Sequence, residues 1–142
     1  MKLIYFGIDY AVKVHDDVLK KSGGMFGTLD LGRLESVLHH IQNDDYYPTF
    51  EEKLTHLVFA VNKGHCFADG NKRTSIALGG WFLEINGLDV FVSKFIIEME
   101  NIAVHVADNR IDKELLSEII YSLINAEDYD EELKLKIIHA LE

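Results

Sequence analysis

The residues best suited to chemistry lie close together in this chain, in a segment of nine residues from His65 to Arg73. His65 is of a residue type that can take a proton from a hydroxyl group near neutral pH. Asp69 supplies a hard oxygen ligand, which suits Mg²⁺ when the metal also binds phosphate oxygens. Gly70 permits unusual backbone angles and the close approach of a phosphate group. A base and a metal ligand at this spacing indicate transfer of a phosphate-containing group.

The end of the same segment predicts a site for anions. A helix is expected to begin near Gly70, and the first backbone N–H groups of a helix have no partner within it. Lys72 and Arg73 add positive charge there, and the guanidinium group of Arg73 can make paired contacts with phosphate oxygens. Together with His65 and Asp69, this anion cradle completes the parts that transfer of a phosphoryl-type group needs.

Two largely apolar helices are expected to hold this segment in place. The chain as a whole shows helical periodicity, which predicts an all-α fold. Phe67, in the middle of the segment, is expected to point into the core and anchor the loop. The predicted helices run over Ile8–Lys21, from after Asp30 to about Asn43, Phe50–Lys63, from near Gly70 to about Asn86, Ser93–Ala107, Asp112 to about Asn125, and Asp130–Leu141.

Capping and breaking residues predict how the third helix begins. Thr49 is expected to cap it, with Glu52 placed to complete a capping box. Before it, Pro48 and its restriction on the preceding residue argue against helix, so residues 43–49 are expected to be extended or to form a short hairpin. A second short extended piece is expected over residues 88–92.

The composition narrows the possible functions. A chain of 142 residues fits one domain, residues 1–142. The net charge of −10 argues against direct binding to nucleic acid, because phosphate contacts need a basic face. No apolar stretch is long enough to cross a membrane, and the N-terminus lacks the pattern of a signal peptide. With Cys66 as the single cysteine, no internal disulfide forms, and we expect a cytoplasmic protein.

The residues from His65 to Arg73, His-Cys-Phe-Ala-Asp-Gly-Asn-Lys-Arg, resemble the signature of the Fic/Doc family, His-x-Phe-x-(Asp/Glu)-(Gly/Ala)-Asn-(Gly/Lys)-Arg. Every defining position is filled. The resemblance extends from Gly23 to about Val92 and implies that family's fold, a compact helical bundle with a small β-hairpin flap.

The resemblance also implies a role for each matching residue. His65 would be the general base that activates a hydroxyl group of a target protein, and Asp69 would hold Mg²⁺ on the phosphates of the nucleotide. The nucleotide phosphates would lie in a nest formed by Gly70, Asn71, Lys72 and Arg73. The flap would pair with an extended piece of the target protein, and its residues would be Tyr46, Tyr47, Pro48 and Thr49.

Three positions bear on the branch of the family. Lys72 and Ile76 resemble the death-on-curing (Doc) branch, whereas the adenylylating Fic branch usually has glycine and a second arginine there. Gly70 favours the adenylylating branch instead. The resemblance therefore implies first a Doc-like toxin that transfers the γ-phosphate of ATP to a hydroxyl group of a target such as a translation elongation factor. The alternative is a Fic-type adenylyltransferase, and a third hypothesis is a non-catalytic binding module with the same fold.

The resemblance also concerns regulation. Self-inhibited Fic proteins carry a helix with the pattern (Ser/Thr)-x-x-x-Glu-(Gly/Asn), which blocks the nucleotide site. No serine or threonine in this chain is followed four residues later by glutamate. If blockade controls the activity, the blocking segment is expected to come from another protein, an antitoxin that acts in trans.

Overall fold

The computed structural model describes residues 2–142. Within them the chain forms seven α-helices and one short 3-10 helix, which confirms the all-α prediction. None of these helices has the length and apolar character that spanning a membrane requires. The α-helices are α1 (Ile8–Ser22), α2 (Leu31–His40), α3 (Phe50–Lys63), α4 (Asn71–Ile85), α5 (Val92–Ala107), α6 (Lys113–Asn125) and α7 (Glu131–Leu141).

Helix α3 lies at the centre of the fold and packs against α2, α4, α5 and α6. Gly79 allows α4 to pack closely against both α3 and α5. A Cβ at this position would lie 2.7 Å from the Phe95 ring of α5 and 2.9 Å from Val58 of α3. The tight contact of α3 with α4 fixes the two helices that carry the segment His65–Arg73 between them. Helix α3 contributes four fully buried apolar residues to the core: Leu54, Leu57, Val58 and Val61.

Side-chain caps determine where four of the helices begin. Asp30, Asp112 and Asp130 each accept a backbone N–H from the first turn of α2, α6 and α7. In front of α3, Thr49 and Glu52 form the predicted capping box, with both reciprocal hydrogen bonds present. These caps satisfy N–H groups that would otherwise have no partner.

The predicted hairpin at residues 43–49 is wrong. Asn43 holds this segment in turns instead, because its side-chain oxygen accepts the N–H groups of Asp45 at 2.9 Å and Tyr46 at 3.2 Å. Its carbonyl accepts the N–H of Tyr47 at 2.9 Å. These three N–H groups are satisfied locally and are not available to a strand ladder. Within residues 2–142, β-type pairing is confined to one isolated antiparallel bridge, between Thr28 and Phe67.

Two smaller expectations also need correction. Residues 88–92 are not extended, because Asp89–Phe91 form a 3-10 helix that runs directly into α5. Helix α2 ends at His40, short of the predicted end near Asn43. The chain leaves α2 through turn bonds, in which the N–H of Asn43 donates to the carbonyl of His40 at 2.9 Å.

Candidate active site

The signature loop, residues 64–70, joins α3 to α4 and is anchored from within. The Phe67 ring is fully buried, as the sequence predicted, and so is Cys66. Asn71 closes the loop, because its side-chain oxygen accepts the N–H of Phe67 at 3.1 Å and its side-chain nitrogen donates to the Phe67 carbonyl at 3.0 Å. The loop is thus tied to the first residue of α4 by a pair of hydrogen bonds.

His65 lies at the other end of the loop and is exposed. Its backbone φ is +50°, a left-handed conformation that is uncommon for a residue with a side chain. Arg33 holds the preceding residue, since its Nη1 donates to the carbonyl of Gly64 at 2.7 Å. The imidazole is therefore presented to solvent from a backbone position that α2 supports.

Helix α4 begins at Gly70, whose backbone is left-handed with φ +78°. A Cβ at this position would lie 2.9 Å from Leu19 of α1, so glycine meets both a conformational and a steric requirement. No side chain caps this N-terminus. The backbone N–H groups of the first turn are consequently available to an anion, and they lie next to the cationic side chains of Lys72 and Arg73.

Asp69 is held in place at both carboxylate oxygens. Oδ2 accepts the N–H of Met25 at 3.1 Å, and Oδ1 accepts the N–H of Gly70 at 2.8 Å. These two hydrogen bonds, with that of Met25 the stronger influence, lower the pKa of Asp69. Arg73 Nη2 lies 3.8 Å from Oδ1, so the carboxylate and the guanidinium group face each other on the first turn of α4.

The α1–α2 loop, residues 23–30, lies along the signature loop. Its Gly27 carbonyl accepts the N–H of Ala68 at 3.0 Å, and the N–H of Leu29 donates to the carbonyl of Cys66 at 2.9 Å. Where this loop leaves α1, Arg73 Nη1 donates to the carbonyl of Gly23 at 3.0 Å. This docked loop forms one wall of the site and supplies partners for both charged side chains at its centre.

The family can be assigned from a match that covers these elements. The model of the Fic/DOC family matches residues 5–83, a range that runs from before α1 into α4 and includes the whole signature loop. The chain belongs to the Fic/DOC family.

Two relatives share much of this Fic/DOC chain. It is 34% identical over 104 residues to "Protein kinase doc" of Escherichia phage P1, with 70% of this chain and 79% of that protein covered. It is 30% identical over 94 residues to "Toxin Doc" of Mycolicibacterium smegmatis, with 63% of this chain and 72% of that protein covered. The death-on-curing branch that Lys72 and Ile76 indicated is thereby confirmed.

The Fic/DOC site of this chain includes one residue that the sequence did not reveal. His15 of α1 has 1% of its surface exposed and stacks on Phe67, with ring centroids 3.8 Å apart and planes 6° from parallel. Its Nε2 lies 2.7 Å from the carbonyl oxygen of Asp69. Helical spacing is the sequence signal that could have revealed its burial. His15 stands four residues from both Ala11 and Leu19, so the three residues share the buried face of α1.

The expected flap residues do not join the site of this Fic/DOC chain. Residues 46–49 precede α3, whereas His65 follows it, and a helix of 14 residues is about 21 Å long. Tyr47 instead stacks on His56, with ring centroids 4.6 Å apart, and Thr49 caps α3. The segment that lies beside the signature loop is the α1–α2 loop, residues 23–30.

The fit of a divalent cation to this site rests on Asp69. In residues 2–142, His, Cys, Asp and Glu side chains do not gather in groups of three or more that could hold a metal ion. A single carboxylate is nevertheless sufficient for Mg²⁺ when phosphate oxygens and waters complete the octahedron. A carboxylate offers about four acceptor positions, of which Met25 and Gly70 use two, so capacity for a cation remains.

Proposed function

We propose that this chain is a Doc-type toxin that transfers the γ-phosphate of ATP to a hydroxyl group of a target protein. The observation that carries the proposal is the complete signature from His65 to Arg73, arranged around an uncapped helix N-terminus. The similarity to proteins named "Protein kinase doc" and "Toxin Doc" supports both parts of the proposal.

The transfer step follows from the chemistry of the two ends of the loop. The hydroxyl oxygen of the target forms a bond to the γ-phosphorus, and the bond from that phosphorus to the bridging oxygen of ADP breaks. The hydroxyl proton passes to a ring nitrogen of His65, and ADP leaves with the electron pair of the broken bond. The exposed imidazole supports this role because it is accessible to an incoming side chain.

The nucleotide phosphates would lie at the start of α4. Gly70, Lys72 and Arg73 contribute a close backbone approach and positive charge, and Asn71 contributes through its backbone N–H because its side-chain amide is bound to Phe67. Asp69 would hold Mg²⁺, which screens the phosphate charge when bound. The lowered pKa of Asp69 keeps its carboxylate ionised for that purpose over a wider pH range.

Labelled nucleotides test the proposal directly. The purified chain is incubated with a cell lysate and either γ-labelled or α-labelled ATP, and His65→Ala serves as the inactive control. Transfer of the γ label alone supports a kinase. Transfer of the α label alone would exclude it, and equal cellular toxicity of the His65→Ala variant would favour a non-catalytic binding module.

Adenylyl transfer is the second candidate, because one observation favours it. Gly70, the residue typical of the adenylylating branch, has a left-handed backbone and no space for a Cβ beside Leu19. If the chain transfers AMP, the mass of the modified target rises by the mass of adenylate rather than that of a phosphate group. Intact-mass measurement of the target therefore separates the two reactions.

We also propose two protein partners, a translation elongation factor as the target and an antitoxin that inhibits in trans. The absence of the self-inhibitory pattern from the sequence supports the second partner. Addition of a purified candidate antitoxin, encoded next to this chain, should stop label transfer. Addition of purified elongation factors in place of the lysate identifies whether one of them accepts the label.

The target segment is better placed on the α1–α2 loop than on residues 46–49. Phe26 and Leu29 of this loop are exposed apolar residues, at 53% and 66%, and the loop already contacts the signature loop. We therefore expect Phe26→Ser to lower transfer to the protein target while leaving ATP binding unchanged. Tyr46→Ser, at a still more exposed aromatic residue (75%) before the N-terminus of α3, is the matched control. A loss confined to the Tyr46 variant would favour the original flap assignment.

A further inference from the structure

His15 belongs to no part of the family signature, yet the structure ties it to the centre of the site. It is buried on α1, and its ring lies flat against Phe67 of the signature loop. Because a carbonyl oxygen only accepts hydrogen bonds, the contact at 2.7 Å requires that Nε2 carry a proton and donate it to the carbonyl of Asp69. The second ring nitrogen, Nδ1, lies 3.1 Å from a carboxylate oxygen of Asp16.

We propose that His15 is a positioning residue for the nucleotide end of the signature loop, an inference that rests on the proposed function. Its hydrogen bond fixes the peptide unit between Asp69 and Gly70. The orientation of that peptide decides where the carboxylate of Asp69 points and where the N–H of Gly70 lies. It also sets the backbone from which α4 begins, and with it the direction of the N–H groups that would receive phosphate.

The contacts of Asp69 explain why this one hydrogen bond matters. Its carboxylate is held by N–H groups from Met25 and Gly70, and both donors belong to loop backbone. The bond from His15 is the contact to Asp69 that comes from a buried side chain on a helix. Helix α1 thus supplies a rigid reference point, and Leu19 on the same face closes the space around Gly70.

His15 should act on nucleotide binding rather than on proton transfer. The opposite end of the loop is held independently, by the bond from Arg33 to the carbonyl of Gly64 next to His65. Loss of the His15 donor should therefore disturb the Asp69 end and leave the His65 end in place. The two ends of one loop would respond differently to one substitution.

A pair of variants of similar length isolates the donor. His15→Gln keeps an N–H near the position of Nε2, whereas His15→Met removes it, and both lose the ring that stacks on Phe67. Relative to His15→Gln, we expect His15→Met to raise the Kd and KM for MgATP by about tenfold, the size expected for one lost hydrogen bond, and to change kcat by less than about twofold. Recovery of affinity in the glutamine variant is the rescue that a purely structural role would not give.

A second readout does not require nucleotide. The amide of Gly70 should exchange its hydrogen faster in His15→Met than in His15→Gln, while amides in the centre of α3 exchange alike in both variants. If His15→Met failed to fold, His15→Phe would take its place, since it retains a ring against Phe67 but has no donor.

Two outcomes would overturn the inference. One is equal MgATP affinity and equal Gly70 exchange in the glutamine and methionine variants. The other is a drop in kcat without a change in KM, because that would place His15 with the proton-transfer end. Failure of the proposed function is distinguishable, since the wild-type chain would then transfer no γ label, while the exchange measurement on the free protein would still test the hydrogen bond of His15.

Discussion

The two ends of helix α3 are built in opposite ways. At its N-terminus the capping box satisfies the backbone N–H groups of Thr49 and Glu52, and the preceding turn is closed by Asn43 and by the stack of Tyr47 on His56. At its C-terminus the chain passes into a loop that exposes His65 and leads to an uncapped helix. The N-terminal end of α3 is therefore closed by a side-chain cap, whereas the open end, at its C-terminus, leads to a helix that no side chain caps.

An uncapped helix terminus, more than the types of residue nearby, therefore distinguishes the candidate site. Both ends contain histidine, carboxylate and hydroxyl side chains, so residue types alone do not separate them. They differ in capping, because Thr49 and Glu52 cap the start of α3 reciprocally, whereas no side chain caps the start of α4. Substitutions at the open end should therefore change activity, and substitutions at the closed end should change stability.

Removal of the imidazole at the open end should have the largest effect. We expect His65→Ala to lower the rate of transfer by about 10²–10⁴-fold, because a positioned general base contributes that much. MgATP affinity should stay within about threefold of the wild type, as calorimetry would measure, because no contact to Asp69 changes. His39→Ala, at an exposed histidine of α2, is the control and should behave as wild type. Loss of MgATP binding in the His65 variant would contradict the division of roles.

Removal of the charge of Asp69 should have the next largest effect. Asp69→Asn keeps the size of the side chain and an oxygen acceptor, but it removes the charge of the ligand, which should lower the affinity for MgATP by about 10–100-fold. Titration calorimetry with and without Mg²⁺ measures this loss. Asp45→Asn, at an exposed carboxylate before the closed end, should leave affinity unchanged. An equal loss in both variants would show that general charge, not position, governs binding.

Substitution of the cap at the closed end should change stability without changing activity. Thr49→Ala removes the acceptor for the Glu52 N–H and should lower the free energy of unfolding by about 1 kcal/mol. Urea denaturation measures this loss, and transfer per folded molecule should equal that of the wild type. A fall in transfer at full folding would mean that residues 46–49 contribute to the target site after all.

The smallest expected effect concerns pH. Burial, with Lys113 and His40 nearby, lowers the pKa of His56 to about 4, and the Lys113 ammonium group donates to its Nδ1 at 2.9 Å. Between pH 6.5 and 4 the unfolded chain therefore binds a proton that the folded chain excludes, and stability falls as the pH falls. With a discount for partial exposure, we expect about 0.5–1 kcal/mol of loss from pH 7 to pH 5.

The variant His56→Gln tests the source of that pH dependence. Because glutamine does not titrate, the difference in urea midpoint between pH 7 and pH 5 should be smaller in the variant than in the wild type. Transfer measured at pH 7 should be unchanged, since His56 lies in the middle of α3 and faces Tyr47 and Lys113 rather than the signature loop. An unchanged pH slope would assign the effect to other groups.

Local signals explain which features of the fold could be predicted. The bounds of α3 follow from Thr49, Glu52 and Gly64, residues whose capping or terminating roles act within one helical turn. The turn at Asn43 was not predicted, because Pro48 is the stronger local signal and favours an extended segment. An asparagine side chain that accepts N–H groups two and three residues later leaves a weaker pattern in the sequence. Local backbone structure is therefore predictable where one short-range interaction is clearly stronger than the others.

The site was predictable in its residues but not in its supports. The residues His65, Asp69 and Arg73 form a continuous pattern, so the sequence shows them together. His15 is 54 residues from Asp69, and its contact exists only because α1 packs beside the loop. The placement of the α1–α2 loop depends on backbone hydrogen bonds, such as that from Ala68 to Gly27, which carry no side-chain signature.

The burial of Cys66 gives the molecule an internal reporter. It is the single cysteine of the chain, it is fully buried, and burial raises the pKa of its thiol, so a thiol reagent reaches it only when the signature loop opens. The rate of labelling at this one atom therefore measures the free energy of local opening. A ligand that binds at the start of α4 and stabilises the signature loop would slow the labelling. The labelling rate of Cys66 in the unmodified protein therefore reports whether the site is occupied.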